Sequence, residues 1–428
     1  MKIVMKSKKH QYITVLDMGS FKTVCVTARI PVDFHKIPVE ERLSAVTVLA
    51  ASQTLSQGIK NGGISDFALA QQTIHKVIEE NEIKLNAPID KIWINFASGN
   101  PKTHYVNRKM MLDGFVTQDN IDALHDYALE DIYKNYDYIV HAVPLRYMAD
   151  TSDDVLNPVG MRATQLEVQM MCISADLNTA RNWGLCIEKS GSQIAGRALS
   201  PYVSALGCLS ETELKTGVIC VDIGGDTTSI SAFSNHRLIF ADMLPIGGNY
   251  ITRDIAQAFS VSLSAAENLK CTKGTCQIWG VEHDRISLPV ISEDIHSPTF
   301  ETASRADLVK IIRLRIEEII QNIQTRLKSA GLLDAKFKLV FTGGTSQLSG
   351  LADLCYAMIN MKPRIAYPVR LSGVPQSMSG PAYSALTGLI HYAVMPHNEI
   401  PSAQLFRRSY RHNDSGVKKM LHWLKYNF

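Results

Sequence analysis

Two aspartates, Asp17 and Asp222, each stand beside a short glycine-bearing turn between two apolar runs. In the first, Tyr12-Ile-Thr-Val-Leu16 leads into Asp17-Met-Gly-Ser20 and then Thr23-Val-Cys-Val-Thr27. In the second, Gly217-Val-Ile-Cys-Val221 leads into Asp222-Ile-Gly-Gly-Asp-Thr227 and then Ser229-Ile-Ser-Ala-Phe233. Each reads as strand, tight turn, strand. Such a turn aims backbone N–H groups outward, and glycine and small hydroxyl residues leave room for phosphate oxygens to reach them. Gly19, Ser20, Gly224, Gly225, Asp226, Thr227 and Thr228 line these turns, Lys22 adds a positive charge, and Asp17 and Asp222 are placed to hold Mg2+, through its waters. A single such turn is equally a hairpin that uses Asp and Gly for geometry. Two in matching places carry more weight.

A third element is Leu339-Val-Phe-Thr-Gly-Gly-Thr-Ser-Gln-Leu348, a buried strand followed by a Gly-Gly turn and a helix start. Gly343, Gly344 and Thr345 let backbone approach a planar ligand such as adenosine. In a fourth, Pro245-Ile-Gly-Gly-Asn249, the residues Gly247, Gly248 and Asn249 supply further amides beside the phosphates. Glu267 and Lys270 share one helix face at i, i+3; they could bracket ribose and base, although the spacing alone favours a solvated ion pair.

The repeat of one β-turn-β unit about two hundred residues apart predicts two related α/β halves. Between them, Ile92-Trp-Ile-Asn-Phe96 reads as a strand and Thr117–Lys134 has helical periodicity with Thr117 as its cap; Gln165-Leu-Glu-Val-Gln169 alternates as a half-buried strand. This stretch reads as an inserted subdomain. The longest helix is expected over Ala306–Ser329, with one apolar stripe from Leu308 to Leu327 and Gly331 after its end. That stripe is core, with no chemistry assigned. From about Met395 to Ser415 polarity and lost periodicity suggest a flexible linker.

Length and composition fit a soluble globular protein of about two domains: 428 residues, 46% hydrophobic, 20% charged. No run of 18 apolar residues exists, and the basic N-terminus lacks the apolar stretch of a secretory signal. Eight scattered cysteines make no CxxC pair and read as buried free thiols; His75, His104 and His391 show no metal-ligand spacing. The net charge of +3 is uneven, because Arg407–Phe428 holds six basic residues and one acid, Asp414, and so leaves the body near neutral. That excludes a general nucleic-acid binder and points to an anionic surface near the tail. On a helical wheel Val417, Met420, Leu421, Leu424 and Phe428 fall within about 120° of one another. Lys418, Lys419, His422, Lys425 and Tyr426 occupy the other face, with Trp423 at the border. This is the pattern of an interfacial membrane-binding helix; a helix docked on its own domain is the alternative.

The order of these elements resembles the superfamily of actin, heat-shock chaperones and sugar kinases, and within it the FtsA cell-division family. Leu16-Asp-Met-Gly-Ser20, Val221-Asp-Ile-Gly-Gly225, Asn157-Pro-Val-Gly-Met161, Asp254-Ile-Ala-Gln-Ala-Phe259, Thr342-Gly-Gly344 and the terminal Leu421–Phe428 carry the resemblance over nearly the whole chain. It implies two actin-like, ribonuclease H-like domains flanking a nucleotide cleft, with an inserted α+β subdomain and a C-terminal amphipathic helix. The corresponding division is 11–86 with 168–215 and 368–395 (first domain), 87–167 (insert), 216–249 with 335–367 (second domain), 250–334 (its subdomain), 396–415 (linker) and 416–428 (membrane helix). The resemblance further implies ATP and Mg2+ as ligands, with at most slow hydrolysis. It implies filaments on an anionic membrane, at the cytoplasmic face of the bacterial inner membrane at the division site, tethering of the tubulin-like FtsZ through 250–334, and recruitment of later division proteins through the insert. A pilus-assembly ATPase or a sugar or acid kinase of the same superfamily is the alternative. No general base is placed by motif. One residue departs from the family pattern: Asp226 stands where the second phosphate motif carries a third glycine. At about 6 Å and an effective dielectric near 20, a carboxylate repels a phosphate charge by roughly 3 kcal/mol, which would weaken ATP binding on the order of a hundredfold unless Mg2+ lies between them or Asp226 points outward; nucleotide binding is still expected, efficient hydrolysis is not.

Overall fold

The computed structural model describes residues 10–97, 101–135, 138–289, 300–395, 399–400 and 405. Two hairpins form where the glycine turns stand: His10–Met18 pairs antiparallel with Lys22–Pro31, and Val218–Ile223 with Thr228–Ser234. Each aspartate is the penultimate residue of its first strand, Asp17 opposite Val24 and Asp222 opposite Ser229. Being in the strand, each is held by the sheet's own hydrogen bonds.

Each hairpin belongs to a five-stranded sheet of the same order and strand directions. In the first, Thr47–Leu55 continues antiparallel on one side, while Lys91–Phe96 and then Gln193–Leu199 add in parallel on the other. In the second, Arg237–Leu244, Lys338–Thr342 and Arg364–Ile365 take the equivalent places. Parallel neighbours need long crossovers, which helices supply. Phe67–Leu85 and Leu177–Lys189 serve the first sheet; Gly248–Phe259, Leu263–Lys273, Arg305–Ser329 and Leu351–Ile359 serve the second. Side-chain caps fix the starts of Phe67–Leu85, Leu177–Lys189 and Arg305–Ser329: Asp66 accepts from the Leu69 amide at 3.0 Å, Asp176 from Thr179 at 2.6 Å and Ser304 from Ala306 at 3.2 Å. The long helix buries Leu308, Ile312, Ile316, Ile319, Ile320, Ile323 and Leu327 in the second half's core.

The inserted unit is a four-stranded antiparallel sheet in the order Lys102–Phe115, Arg162–Ala175, Tyr138–Ala149, Ser152–Val155, covered by the helix Gln118–Asn135. It has its own apolar core around Leu124, Leu129, Leu166 and Met170. Three residues of the stretch expected to be a linker join it. Ile400 and Leu405 are buried in this core, and the Ile400 amide donates to the Ala142 carbonyl at 3.0 Å. Glu399 meets the His141 ring at 2.8 Å, out of solvent. The polar sequence concealed these anchors, because one hydrogen-bonded carboxylate and two apolar side chains leave no periodicity. The remainder of that stretch and the tail helix residues Val417, Lys418, Lys419, Met420, Leu421, Trp423, Leu424, Lys425 and Phe428 lie outside the described residues.

Two helices, Ser200–Leu206 and Ser384–Val394, lie between the two sheets. Their backbones touch: a Cβ on Gly388 would stand 1.6 Å from the Val203 carbonyl oxygen, so only glycine permits the crossing. Of the eight cysteines, seven are buried and Cys271 is exposed. Among the described residues no helix is long and apolar enough to cross a membrane.

Candidate functional site

The two hairpin turns are built alike and face each other. Gly19 N–H donates to the Lys22 carbonyl at 3.1 Å, and Gly224 N–H to the Thr227 carbonyl at 2.9 Å, so one tight turn is used twice. The tips meet across the cleft, where a Cβ on Gly225 would lie 3.3 Å from Phe21 Cβ. The other predicted elements gather behind the second turn. Gly248 N–H and Asn249 N–H donate to the Gly224 and Gly225 carbonyls at 2.9 and 2.7 Å, and the Thr345 hydroxyl donates to Gly224 O at 3.0 Å. In this arrangement Gly248, Asn249 and Thr345 hold the turn in place. Gly247 fits because its missing Cβ would fall 2.5 Å from the Gly225 carbonyl oxygen. Thr228 is fully buried and donates to the Ile246 carbonyl at 2.7 Å, which ties the hairpin to the Gly-Gly loop.

The aspartates are bound from behind. Asn95 Nδ2 donates to Asp17 Oδ1 at 2.8 Å and reaches Ser200 Oγ at 3.1 Å, while its own Oδ1 accepts from the Met18 amide at 3.1 Å. Ser204 Oγ donates to Asp222 Oδ2 at 2.5 Å. Ser200 and Ser204 lie one turn apart on the helix between the sheets, so a single element orients both carboxylates. Gly343, with φ +87°, brings the third loop against Asp222; a Cβ there would stand 2.2 Å from Asp222 Oδ1. Gly344 follows with more room, its nearest neighbour being Ala382 Cβ at 3.6 Å.

Electrostatics mark this pocket as short of positive charge. Burial raises the Asp17 carboxyl above its ordinary value despite the Asn95 bond and the Lys22 charge. Asp222 is pushed up to about 6, chiefly by burial and further by Asp17, against the Ser204 bond and Lys22. Lys22 is brought down to about 8 by burial, although both aspartates pull it the other way. Its ammonium sits over the Tyr383 ring, 2.9 Å from the centroid. A buried and a half-buried carboxylate sharing one ammonium suit a hydrated divalent cation, which needs few protein ligands. Among the described residues no group of three or more metal-ligating side chains occurs.

Glu267 and Lys270 form a sheltered pair rather than a solvated one. Lys270 Nζ donates to Glu267 Oε2 at 2.7 Å, Thr252 Oγ1 at 2.9 Å and the Gly248 carbonyl at 3.1 Å. Burial alone would raise the Glu267 carboxyl, but the Lys270 charge and the bonds from Lys270, Thr252 and Cys271 outweigh it and hold it low. The pair braces the helix that begins at Gly248, and Lys270 reaches it because its long apolar stem crosses the core.

Asp226 does not point into solvent. Its carboxylate is buried and accepts from Arg253 Nη2 at 2.9 Å, Asn249 Nδ2 at 3.1 Å and the Asn61 amide at 3.1 Å. Sequence reasoning missed Asn61, Asn95, Ser204, Arg253 and Tyr383. Arg253 lies four residues beyond the Gly-Gly-Asn loop and was open to suspicion as the counter-ion of an unexpected aspartate; the others carry no local signal.

Comparison with known proteins then fixes the family. The FtsA cell-division family model matches residues 219–388, and the model of the SHS2 domain inserted in FtsA matches 102–174. The cell-division protein FtsA of Agrobacterium fabrum is 30% identical over 99% of this chain and 96% of its own length. The chain belongs to the FtsA cell-division protein family. The Escherichia coli K12 member is 22% identical over 99% of this chain and all of its own length. Among solved structures, a PilM–PilN type IV pilus biogenesis complex has a chain similar at TM-score 0.63 and 15% identity, covering 90% of this chain and 99% of that one. MreB5 of Spiroplasma citri bound to ADP is similar at 0.50 and 14% identity, covering 89% and 96%. At those identities the likeness concerns the fold, which is the actin-like one.

Proposed function

We infer that this protein is an ATP- and Mg2+-binding, filament-forming division protein that fastens FtsZ to the membrane through its amphipathic tail. The observation that carries the nucleotide part is the meeting of two identically built turns, each backed by an aspartate (Asp17 buried, Asp222 half-buried), beside a positive-φ Gly343 loop. In this reading the phosphates lie between the tips Ser20–Phe21 and Gly225–Asp226, and Lys22 leaves Tyr383 to meet them. Asp17 and Asp222 hold the hydrated cation, and Gly343–Thr345 bounds the adenosine. Among the described residues the site offers no general base beyond the two aspartates assigned to the cation, and the reading is of at most slow hydrolysis.

The tail reading rests on the segregation of Val417, Met420, Leu421, Leu424 and Phe428 from the lysines, and on the anchoring of Glu399, Ile400 and Leu405 to the insert. Each apolar side chain would contribute roughly 1.5–3 kcal/mol if fully buried. Ordering a short helix costs about 1 kcal/mol or more per residue, so one tail binds weakly and a filament bearing many binds durably. Cosedimentation with anionic vesicles tests this, comparing the full chain with one ending at Ser409, each with and without Mg-ATP. The full chain should pellet with lipid, more so with Mg-ATP, and the shortened chain should stay in solution. Equal behaviour of the two would refute tail-mediated attachment.

A further inference from the structure

Asp226 occupies the tip of the second turn, where its charge opposes the phosphates the turn is built for, yet it is almost wholly buried and fully bonded. Its three donors come from both sides of the cleft. Arg253 Nη2 and Asn249 Nδ2 belong to the second half, and the Asn61 amide to the first. Asn61 is in the left-handed region at φ 49°, followed by Gly62 at φ 71°, whose amide donates to Ser20 Oγ at 3.1 Å. The same short loop therefore touches the tips of both hairpins. Tyr250 OH adds a long contact to Asn61 Oδ1 at 3.5 Å. The Tyr250 ring lies under Arg253 and Arg315, at 4.7 and 5.8 Å, and Arg315 grips both oxygens of Asp254 at 2.7 and 2.9 Å. The latch is braced by its surroundings.

A guanidinium, a side-chain amide and a backbone N–H in a tight turn, here that between Ile59–Lys60 and Gly63–Ile64, are also the donors that phosphate oxyanions take. We propose that Asp226 is a resident anion: it bridges the two halves in the way a bound polyphosphate would, and an entering nucleoside triphosphate displaces it and inherits Arg253, Asn249 and the Asn61 amide. This rests on the nucleotide reading above and adds regulation to it. Cleft closure in this chain then does not require nucleotide, and nucleotide affinity is lowered by the competition.

Two measurements on the full chain test it, with Asp226→Gly to remove the latch and Asp226→Asn to keep its shape without its charge. The first is hydrogen exchange of residues 57–64 without nucleotide. Exchange should be at least about tenfold faster in Asp226→Gly, intermediate in Asp226→Asn, and slowed again in both by Mg-ATP. The second is the Kd for Mg-ATP, which should fall at least about tenfold in Asp226→Gly. Unchanged exchange in both variants overturns the latch, whatever the nucleotide result. Unchanged or weaker Mg-ATP binding by Asp226→Gly overturns the competition. Faster exchange in the variants with no Mg-ATP binding by any form would instead overturn the nucleotide reading and displacement together, while leaving Asp226 as the bridge of the cleft.

Discussion

The two hairpins share strand directions, register and turn hydrogen bond, but they differ in the charge each presents. Counting from Gly19 and Gly224, the first turn places Phe21 and Lys22 where the second places Asp226 and Thr227. The first offers a cation, held over the Tyr383 ring. The second offers an anion that is already bonded across the cleft. The backbone frame is thus the shared half of the design within this one chain, and the side chains at the tips are where the two turns differ.

The aspartates behind the turns are the place to break that equivalence first. Asp17→Asn and Asp222→Asn each remove a charged partner, which is worth about 1.5–3 kcal/mol. Mg-ATP affinity measured by calorimetric titration should fall roughly ten- to a hundredfold in each. An effect confined to one aspartate would show that only one hairpin serves the cation.

Next comes Gly343. Alanine there meets Asp222 Oδ1 at 2.2 Å at a φ of +87°, so Gly343→Ala should cost about 1–3 kcal/mol of stability. Gly344→Ala meets nothing closer than 3.6 Å and should change stability by about 0.5 kcal/mol or less. Thermal unfolding of the two variants separates them; similar melting temperatures would show that the third loop does not press on Asp222.

A smaller effect follows from pH. With its carboxyl raised to about 6, Asp222 binds a proton more tightly folded than unfolded. Its contribution to stability therefore falls as pH rises from about 4 to about 6, while its capacity to hold Mg2+ grows over the same rise. From pH 7.5 to pH 5 the ionised fraction drops about tenfold, so Mg-ATP affinity should weaken by up to that factor. Asp222→Asn should flatten the profile; a wild-type profile already flat over this range would contradict the assignment.

Much of this was legible beforehand because it is local. A strand–turn–strand unit, a Gly-Gly loop and an apolar stripe declare themselves within about twenty residues, and their repetition gave the duplicated fold. What escaped depends on contacts distant in sequence. Asp226 stood out in its motif, but its bond to the Asn61 amide spans 165 positions. Lys270 read as solvated because i, i+3 spacing says nothing of the core that its stem crosses. Glu399, Ile400 and Leu405 looked like linker because three anchors among polar residues form no pattern.

The most direct test of the paired-turn site is hydrogen exchange over both hairpins with and without Mg-ATP. If one nucleotide lies between them, the amides of 19–22 and 224–227 gain protection together, and those of 343–345 with them. Protection of one turn without the other, or of neither while Mg-ATP is shown to bind, would mean that the nucleotide lies elsewhere.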